Sequence, residues 1–103
     1  MRKAKVFMHG IPAGTLEEHE QGKQYVFRYD AAYAGPAISL TMPLAPREYS
    51  FESFPPFFDG VLPEGIQLDG LLRQRKIDRN DFFSQLVAVG QDLVGAVTVE
   101  EAA

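Results

Sequence analysis

Hydrophobic and polar residues alternate with period two through much of the first half of the chain and again at its end. Over residues 3–9, Ala4, Val6 and Met8 fall on one face and Lys3, Lys5 and His9 on the other, with Phe7 on that second face. Side chains of a strand point alternately to its two faces, so this pattern predicts a strand. Gly10-Ile11-Pro12-Ala13-Gly14 predicts a turn, because proline presets its φ and glycine tolerates positive φ. The chain then returns as a second strand over residues 13–19. Glu17, Glu18 and Glu20 crowd the next connection, which reads as a solvated hairpin end closing at Gln21-Gly22. A third strand is predicted over 24–29, where Tyr25, Phe27 and Tyr29 share one face and make an aromatic ladder of the kind that packs a core. Asp30-Ala31-Ala32-Tyr33-Ala34 predicts a single helical turn capped by Asp30 and ended by Gly35-Pro36. The alternation resumes over 37–42 and predicts a fourth strand, with Ile38, Leu40 and Met42 facing the core and Ser39 and Thr41 facing out. Leu44 to Glu52, beginning just after Pro43, reads as an irregular crossing segment.

The pattern then changes. Residues 54–65, Phe-Pro-Pro-Phe-Phe-Asp-Gly-Val-Leu-Pro-Glu-Gly, hold three aromatics, three prolines and two glycines, and no single regular element accommodates them. They predict a short helix over 54–61 with Ser53 as N-cap, a sharp corner at Leu62-Pro63, and a second helix over 64–76 that begins near Pro63. Leu68, Leu71 and Leu72 form that helix's apolar stripe, and Arg73, Arg75 and Lys76 sit in its last turns, where the dipole favours cations. At about 100° per residue, Ile66 lies opposite this stripe. Three readings of Ile66 follow: it packs back on Phe57 or Val61, it is one of the scattered exposed apolar residues that are normal on a surface, or it is an exposed apolar contact point. A third helix is predicted over 80–89, capped by Asp78 or Asn80, with Phe82, Phe83, Leu86 and Val87 inward and Gly90 as the C′ residue. Gln91-Asp92-Leu93-Val94-Gly95 turns the chain into a closing strand over 96–100, with Val97 and Val99 inward, and Glu101-Ala102-Ala103 frays. The whole predicts one α+β domain over residues 1–103: a small antiparallel sheet or partly closed barrel of about five strands, packed with short helices.

Composition narrows the function. A hydrophobic fraction of 46% supports a globular core, though a modest one at 103 residues. There is no cysteine, hence no disulfide framework, thiolate metal site or thiol nucleophile, which fits a reducing, cytoplasmic setting. No long apolar run follows Met1-Arg2-Lys3, so neither a signal peptide nor a membrane span is expected. The net charge of −4 disfavours a nucleic-acid binder, which needs basic surface to displace counterions. The basic cluster Arg73, Arg75, Lys76 and Arg79 reads as a solvated helix face.

Candidate catalytic chemistry is thin. His9 and His19 are the only histidines, without the helical i, i+4 spacing of a metal pair. Asp59 and Glu64 could act as paired carboxylates, but each has a simpler place at a helix end or start. The turn at Gly10 lacks both G-x-G-x-x-G and G-x-x-x-x-G-K spacing, and no serine sits in a G-x-S-x-G elbow. The expectation is therefore no enzyme, no metal and no cofactor, but a binding module whose exposed corner, presenting Glu64, Gly65 and Ile66, is gripped by another protein.

Three motifs sharpen this. Phe57-Phe58-Asp59-Gly60-Val61-Leu62-Pro63-Glu64-Gly65, then Phe82-Phe83-Ser84-Gln85-Leu86, then Val89-Gly90-Gln91-Asp92-Leu93-Val94-Gly95-Ala96-Val97 resemble the N-terminal subdomain of HipA-type serine/threonine kinases. Ser39-Leu40-Thr41-Met42-Pro43-Leu44 also looks like that family's S-L-S-L-P-L segment. The resemblance spans nearly the whole chain, which ends where the family's kinase core would begin. A free-standing chain of this size is similar to the HipS-like antitoxins of three-gene HipBST systems. The resemblance implies a HipT-like kinase toxin as the protein inhibited and a HipB-like DNA-binding protein in the same complex, with no direct contact to nucleic acid or membrane. A non-inhibitory module supporting kinase folding or assembly is the alternative it allows. It also implies a partner-binding corner comprising Phe58, Asp59, Leu62, Pro63, Glu64, Gly65 and Ile66. Many relatives carry an aromatic after L-P-E-G, often Trp, where this chain has Ile66 and no tryptophan at all.

Overall fold

The computed structural model describes residues 1–93 and 95–102. The expectations for Val94, in the turn before the closing strand, and for Ala103, at the frayed end, lie outside the described residues. Among the described residues, five strands form one open antiparallel sheet and three short helices accompany it. In chain order these are β1 (Arg2–Met8), β2 (Ile11–Glu20), β3 (Lys23–Tyr29), β4 (Glu48–Phe51), α1 (Pro56–Asp59), α2 (Gly65–Arg75), α3 (Phe82–Val89) and β5 (Val97–Glu101). The spatial order is β4-β3-β2-β1-β5, so β4 and β5 are the edges. The α+β expectation holds in its open-sheet form.

Cross-strand register explains which face is buried. Tyr25 pairs with Glu18 and Phe51, Phe27 with Leu16 and Tyr49, and Tyr29 with Gly14. Across β1 the same rows continue to Arg2, Ala4 and Val6, and Val6 pairs with Val99 of β5. Ala4, Val6, Leu16, Tyr25, Phe27, Tyr29, Val97 and Val99 are all buried there, and the helices and the segment after β3 cover them. The opposite face carries Lys3, Lys5, Glu17 and Arg28, as the period-two pattern dictates.

The first hairpin turns more tightly than expected. His9 and Gly10 both adopt positive φ, 51° and 78°. That two-residue geometry matches the twist of the flanking strands, so β2 begins at Ile11 rather than at residue 13. A register shift between Val6 and Phe7 absorbs one extra residue of β2, and Pro12 sits beside it, beyond the last β2–β3 pair, where a sheet tolerates proline.

Glu17 and Glu18 are not in a solvated connection. They lie within β2 and are buried, because neighbouring strands supply their counter-charges. Glu17 meets Arg28 at 3.1 Å, His19 at 2.9 Å and Lys3 at 3.9 Å. Burial alone would raise the Glu17 carboxyl, but the His19 hydrogen bond and the Arg28 charge hold it below the ordinary range. Glu18 accepts from Arg2 Nε at 2.6 Å and from the Tyr25 hydroxyl at 2.8 Å. Burial and that bond to Glu18 push the Tyr25 phenol well above its usual range.

The predicted fourth strand over 37–42 is corrected. Residues 39–42 form a tight turn with a Ser39↔Met42 bridge, and the fourth strand is Glu48–Phe51 instead. The Tyr29 hydroxyl accepts from Ile38 N and donates to Met42 O, drawing both arms of the turn onto β3. β4 forms where the sequence suggested irregular chain, because Tyr49 and Phe51 pair with Phe27 and Tyr25 and Arg28 grips Glu48 at 2.6 Å. Residues 30–34 make one hydrogen-bonded turn, Tyr33 N to Asp30 O at 3.0 Å, rather than a helical turn.

The helix caps also shift. α1 is one turn long, with Pro55 rather than Ser53 at the N-cap and Pro56 at the first helical position. α3 is capped by Asp81, not by Asp78 or Asn80. Its carboxylate accepts from Ser84 N at 3.2 Å and from Ser84 Oγ at 2.7 Å. The same carboxylate takes a hydrogen bond from Arg2 Nη2 at 2.8 Å, and the Arg2 guanidinium also lies 4.8 Å from the Phe83 ring centre. Burial would raise the Asp81 carboxyl, yet the bonds from Arg2 and Ser84 lower it overall. Arg2 thus joins β1 to Glu18 of β2 and to the start of α3. At the other end of α3, Gly90 is right-handed, not the left-handed C′ residue expected. Glycine is required there for a different reason: a Cβ would lie 1.9 Å from the Val99 carbonyl oxygen.

Candidate functional site

The corner between α1 and α2 is built from beneath. Pro55 and Pro56 start α1 with preset φ, and Phe58 drops into the core at 0% exposure. Its ring packs against Phe27 of β3, centroids 5.9 Å apart, and meets Phe57 edge-on at 5.1 Å. The chain leaves α1 through overlapping turns, Val61 N to Phe58 O and Leu62 N to Asp59 O, each 3.2 Å. These two bonds fix the backbone as far as Leu62, and the exposed groups beyond it face water.

Pro63 then stops the turn, Glu64 is extended, and Gly65 opens α2 with φ +60°. A Cβ on Gly65 would meet nothing within 4 Å, so the positive φ alone makes glycine favoured here. This bend aims Ile66 outward, and the residue is 89% exposed. The reading in which Ile66 packs back on Phe57 or Val61 is therefore excluded.

The expected site residues fall into three positions. Asp59, Glu64, Gly65 and Ile66 are exposed on the knuckle, and Leu62 and Pro63 are half-buried on its flank. Phe58 is corrected: its side chain is wholly inside and supports the knuckle instead of reaching a partner. Asp59 and Glu64 give the knuckle two acidic groups on either side of its apolar middle.

α2 holds loosely to the rest. None of its residues is fully buried, and the stripe Leu68, Leu71 and Leu72 is only half-covered. Between it and the end of α3 runs a groove of about 430 Å³ lined by Val61, Leu62, Gln67, Leu71, Val89 and Leu93. The knuckle forms one rim of that groove. At the far end of α2, Lys76 turns the chain with φ 56°, and Arg79 reaches back to Asp69 at 2.5 Å.

The other candidates do not converge. His9 sits in the β1–β2 turn and His19 near the opposite end of β2, where it bonds Glu17. Among the described residues no three His, Cys, Asp or Glu side chains cluster as metal ligands, and no helix is long and apolar enough to cross a membrane. Sequence reasoning placed Leu40 in the core, yet it is fully exposed at the tip of the 39–42 turn. The available signal was the pair of short hydroxyl residues, Ser39 and Thr41, between Pro36 and Pro43, a composition that suits a turn as well as a strand.

Comparison with known proteins gives a consistent result. The family model described as the HipA N-terminal domain matches residues 4–100. An uncharacterized protein of Haemophilus influenzae is 31% identical over 101 residues, covering 98% of this chain and 93% of that protein. Putative kinase Y4dM of Sinorhizobium fredii is 32% identical over 104 residues, covering 91% of this chain but 25% of that protein. A solved structure described as the N-terminal domain of HipA toxin superposes with a TM-score of 0.78 at 27% identity, covering all of this chain and 94% of the other.

Proposed function

The chain belongs to the HipA N-terminal domain family, and from that premise we propose that it is an antitoxin-like subunit that binds and inhibits a HipA-family serine/threonine kinase. The observation that carries this reading is the knuckle: Ile66 held 89% exposed above a fully buried Phe58. A large apolar side chain on a backbone already fixed by proline, glycine and local hydrogen bonds loses little freedom on docking. Its acidic flanks, Asp59 and Glu64, favour a basic surface around the pocket that receives it. The match to a quarter of a putative kinase supports the partner's class, since in that relative the domain and the remaining chain are one polypeptide.

By this reading the module is HipS-like, acts on a HipT-like toxin, and belongs to a complex with a HipB-like DNA-binding protein. It contributes no catalytic group. Isoleucine buries less area than tryptophan and offers no indole N–H, so its grip is weaker than an aromatic at the same position would give. The groove rimmed by Leu62 and Leu71 offers a second apolar patch continuous with the knuckle.

The test is a titration of the purified kinase with this chain, reading affinity and kinase activity together. Ile66→Asp is expected to weaken binding by about 2 kcal/mol or more and to relieve inhibition in parallel. Unchanged affinity removes Ile66 from the interface. A kinase that binds and is stabilised but stays fully active makes this chain a folding or assembly module instead.

A further inference from the structure

The knuckle does not account for the most exposed large apolar side chain among the described residues. That is Leu40, at 101% of its reference area. It stands at the tip of a turn fixed from several sides. Met42 N donates to Ser39 O at 3.1 Å, Thr41 N to Ser39 Oγ at 3.2 Å, and the two hydroxyls bond each other at 2.8 Å. Below the tip, the Tyr29 hydroxyl holds Ile38 N and Met42 O, and the Tyr49 hydroxyl holds Pro43 O at 2.6 Å. Ile38 and Met42, the neighbours on either side, are buried. The chain thus sinks two apolar residues into its own core and holds the one between them out in water.

Single exposed leucines are ordinary on protein surfaces, but this one stands on backbone that hydrogen bonds with Tyr29 and Ser39 hold in place. Here the ordering cost is met in advance by the fold, which is what makes a side chain an effective anchor. The turn's two hydroxyls bond each other, which lowers the cost of closing an apolar pocket over Leu40. The turn and the knuckle also lie on the same side of the sheet: Ile38 and Met42 attach to Tyr29, Phe58 packs on Phe27, and both rings belong to the buried face of β3.

We propose that Leu40 is a second, independent anchor for the same kinase, entering a small apolar pocket on it while Ile66 occupies another. This rests on the reading of the chain as a kinase-binding subunit. The occupant is assigned as the kinase because, in the relative where this domain is a quarter of a putative kinase, the remaining three quarters are tethered to it. A kinase that took both the knuckle and the turn, which share one side of the sheet, would hold the domain in a fixed orientation.

The experiment titrates the HipA-family kinase of the same organism with the wild-type chain, Leu40→Ser, Ile66→Asp and the double variant, and records each variant's unfolding midpoint and oligomeric state. Leu40→Ser is expected to bind about 10- to 100-fold more weakly, with unfolding midpoint and oligomeric state unchanged. The double variant is expected to lose the product of the two single losses, as separate anchors do. Wild-type binding with undiminished affinity for Leu40→Ser overturns this inference and leaves the functional reading standing. A wild-type chain that does not bind the kinase overturns the functional reading and this inference with it. A lowered midpoint in Leu40→Ser, or a changed self-association with unchanged kinase affinity, assigns Leu40 to the fold or to a second copy and also overturns it.

Discussion

Replacing Asp81 by alanine tests how the sheet and the helical layer are joined. The substitution removes two kinds of interaction at once. It deletes the α3 cap, with bonds from Ser84 N and Ser84 Oγ, worth about 1 kcal/mol in comparable helices. It also deletes the ion pair with Arg2 at 2.8 Å. A charge-assisted hydrogen bond contributes about 1.5–3 kcal/mol. Arg2 is one-third exposed and keeps Glu18 at 2.6 Å, so the low end applies. The expected total is about 2–3 kcal/mol, or about 10–20 °C in unfolding midpoint for a domain near this size. Asp81→Asn keeps a competent cap but loses the charge, and is expected to cost about half as much.

The pH dependence identifies the charge. The Asp81 carboxyl titrates below its ordinary value in the folded chain, with burial opposed and outweighed by Arg2 and Ser84. Its stabilisation is therefore complete above the unfolded carboxyl range, about 4, and is lost as pH falls through the lower folded value. Urea unfolding followed by far-ultraviolet circular dichroism should give a constant gap between wild type and Asp81→Ala from pH 7 to about pH 5, narrowing below about pH 4. A gap below about 0.5 kcal/mol at pH 7, or one of equal size at pH 7 and pH 2.5, refutes the role given to this carboxylate.

Two further substitutions separate support from surface. Gly90→Ala places a methyl against the Val99 carbonyl, and is expected to cost about 3 kcal/mol in urea unfolding as β5 is pushed from α3; wild-type stability would show that the approach is not tight. Phe58→Ala is expected to cost about 3–5 kcal/mol by emptying the space under the knuckle, whereas Ile66→Asp should change stability by less than about 0.5 kcal/mol. Similar losses in those two variants would contradict their assigned positions.

Much of the architecture was legible because it follows local rules. The alternation in β1, β3 and β5 and the leucine and phenylalanine spacing in α2 and α3 point to elements that form near where expected. The failures share a cause. Residues 37–42 alternate as well as any strand, but their backbone groups find the Tyr29 hydroxyl and one another, and no neighbouring strand. Residues 48–51 alternate too, yet only four residues pair, and the partner that selects them is β3, about twenty positions earlier. Glu17 and Glu18 looked like a charged bend because Arg2, Lys3 and Arg28 reach them only once the strands are side by side. At the corner, proline, glycine and aromatic content announced an exposed bend, whereas the direction of Phe58 depended on the Phe27 ring of β3, about thirty positions earlier.

β3 sets a scale for the surface it supports. Its three inward rings each hold a different feature in place: Tyr25 the acid-and-base junction at Glu18, Phe27 the foundation of the knuckle, Tyr29 the arms of the leucine-tipped turn. Alternate residues of a strand recur about every 6.6 Å, so the footings of these features stand at intervals fixed by peptide geometry rather than by loop length. Drift in the loops can vary the tips, but the footings move only if β3 itself is edited. A single residue inserted between Tyr25 and Tyr29 would turn part of that ruler over and detach the projections mounted beyond it.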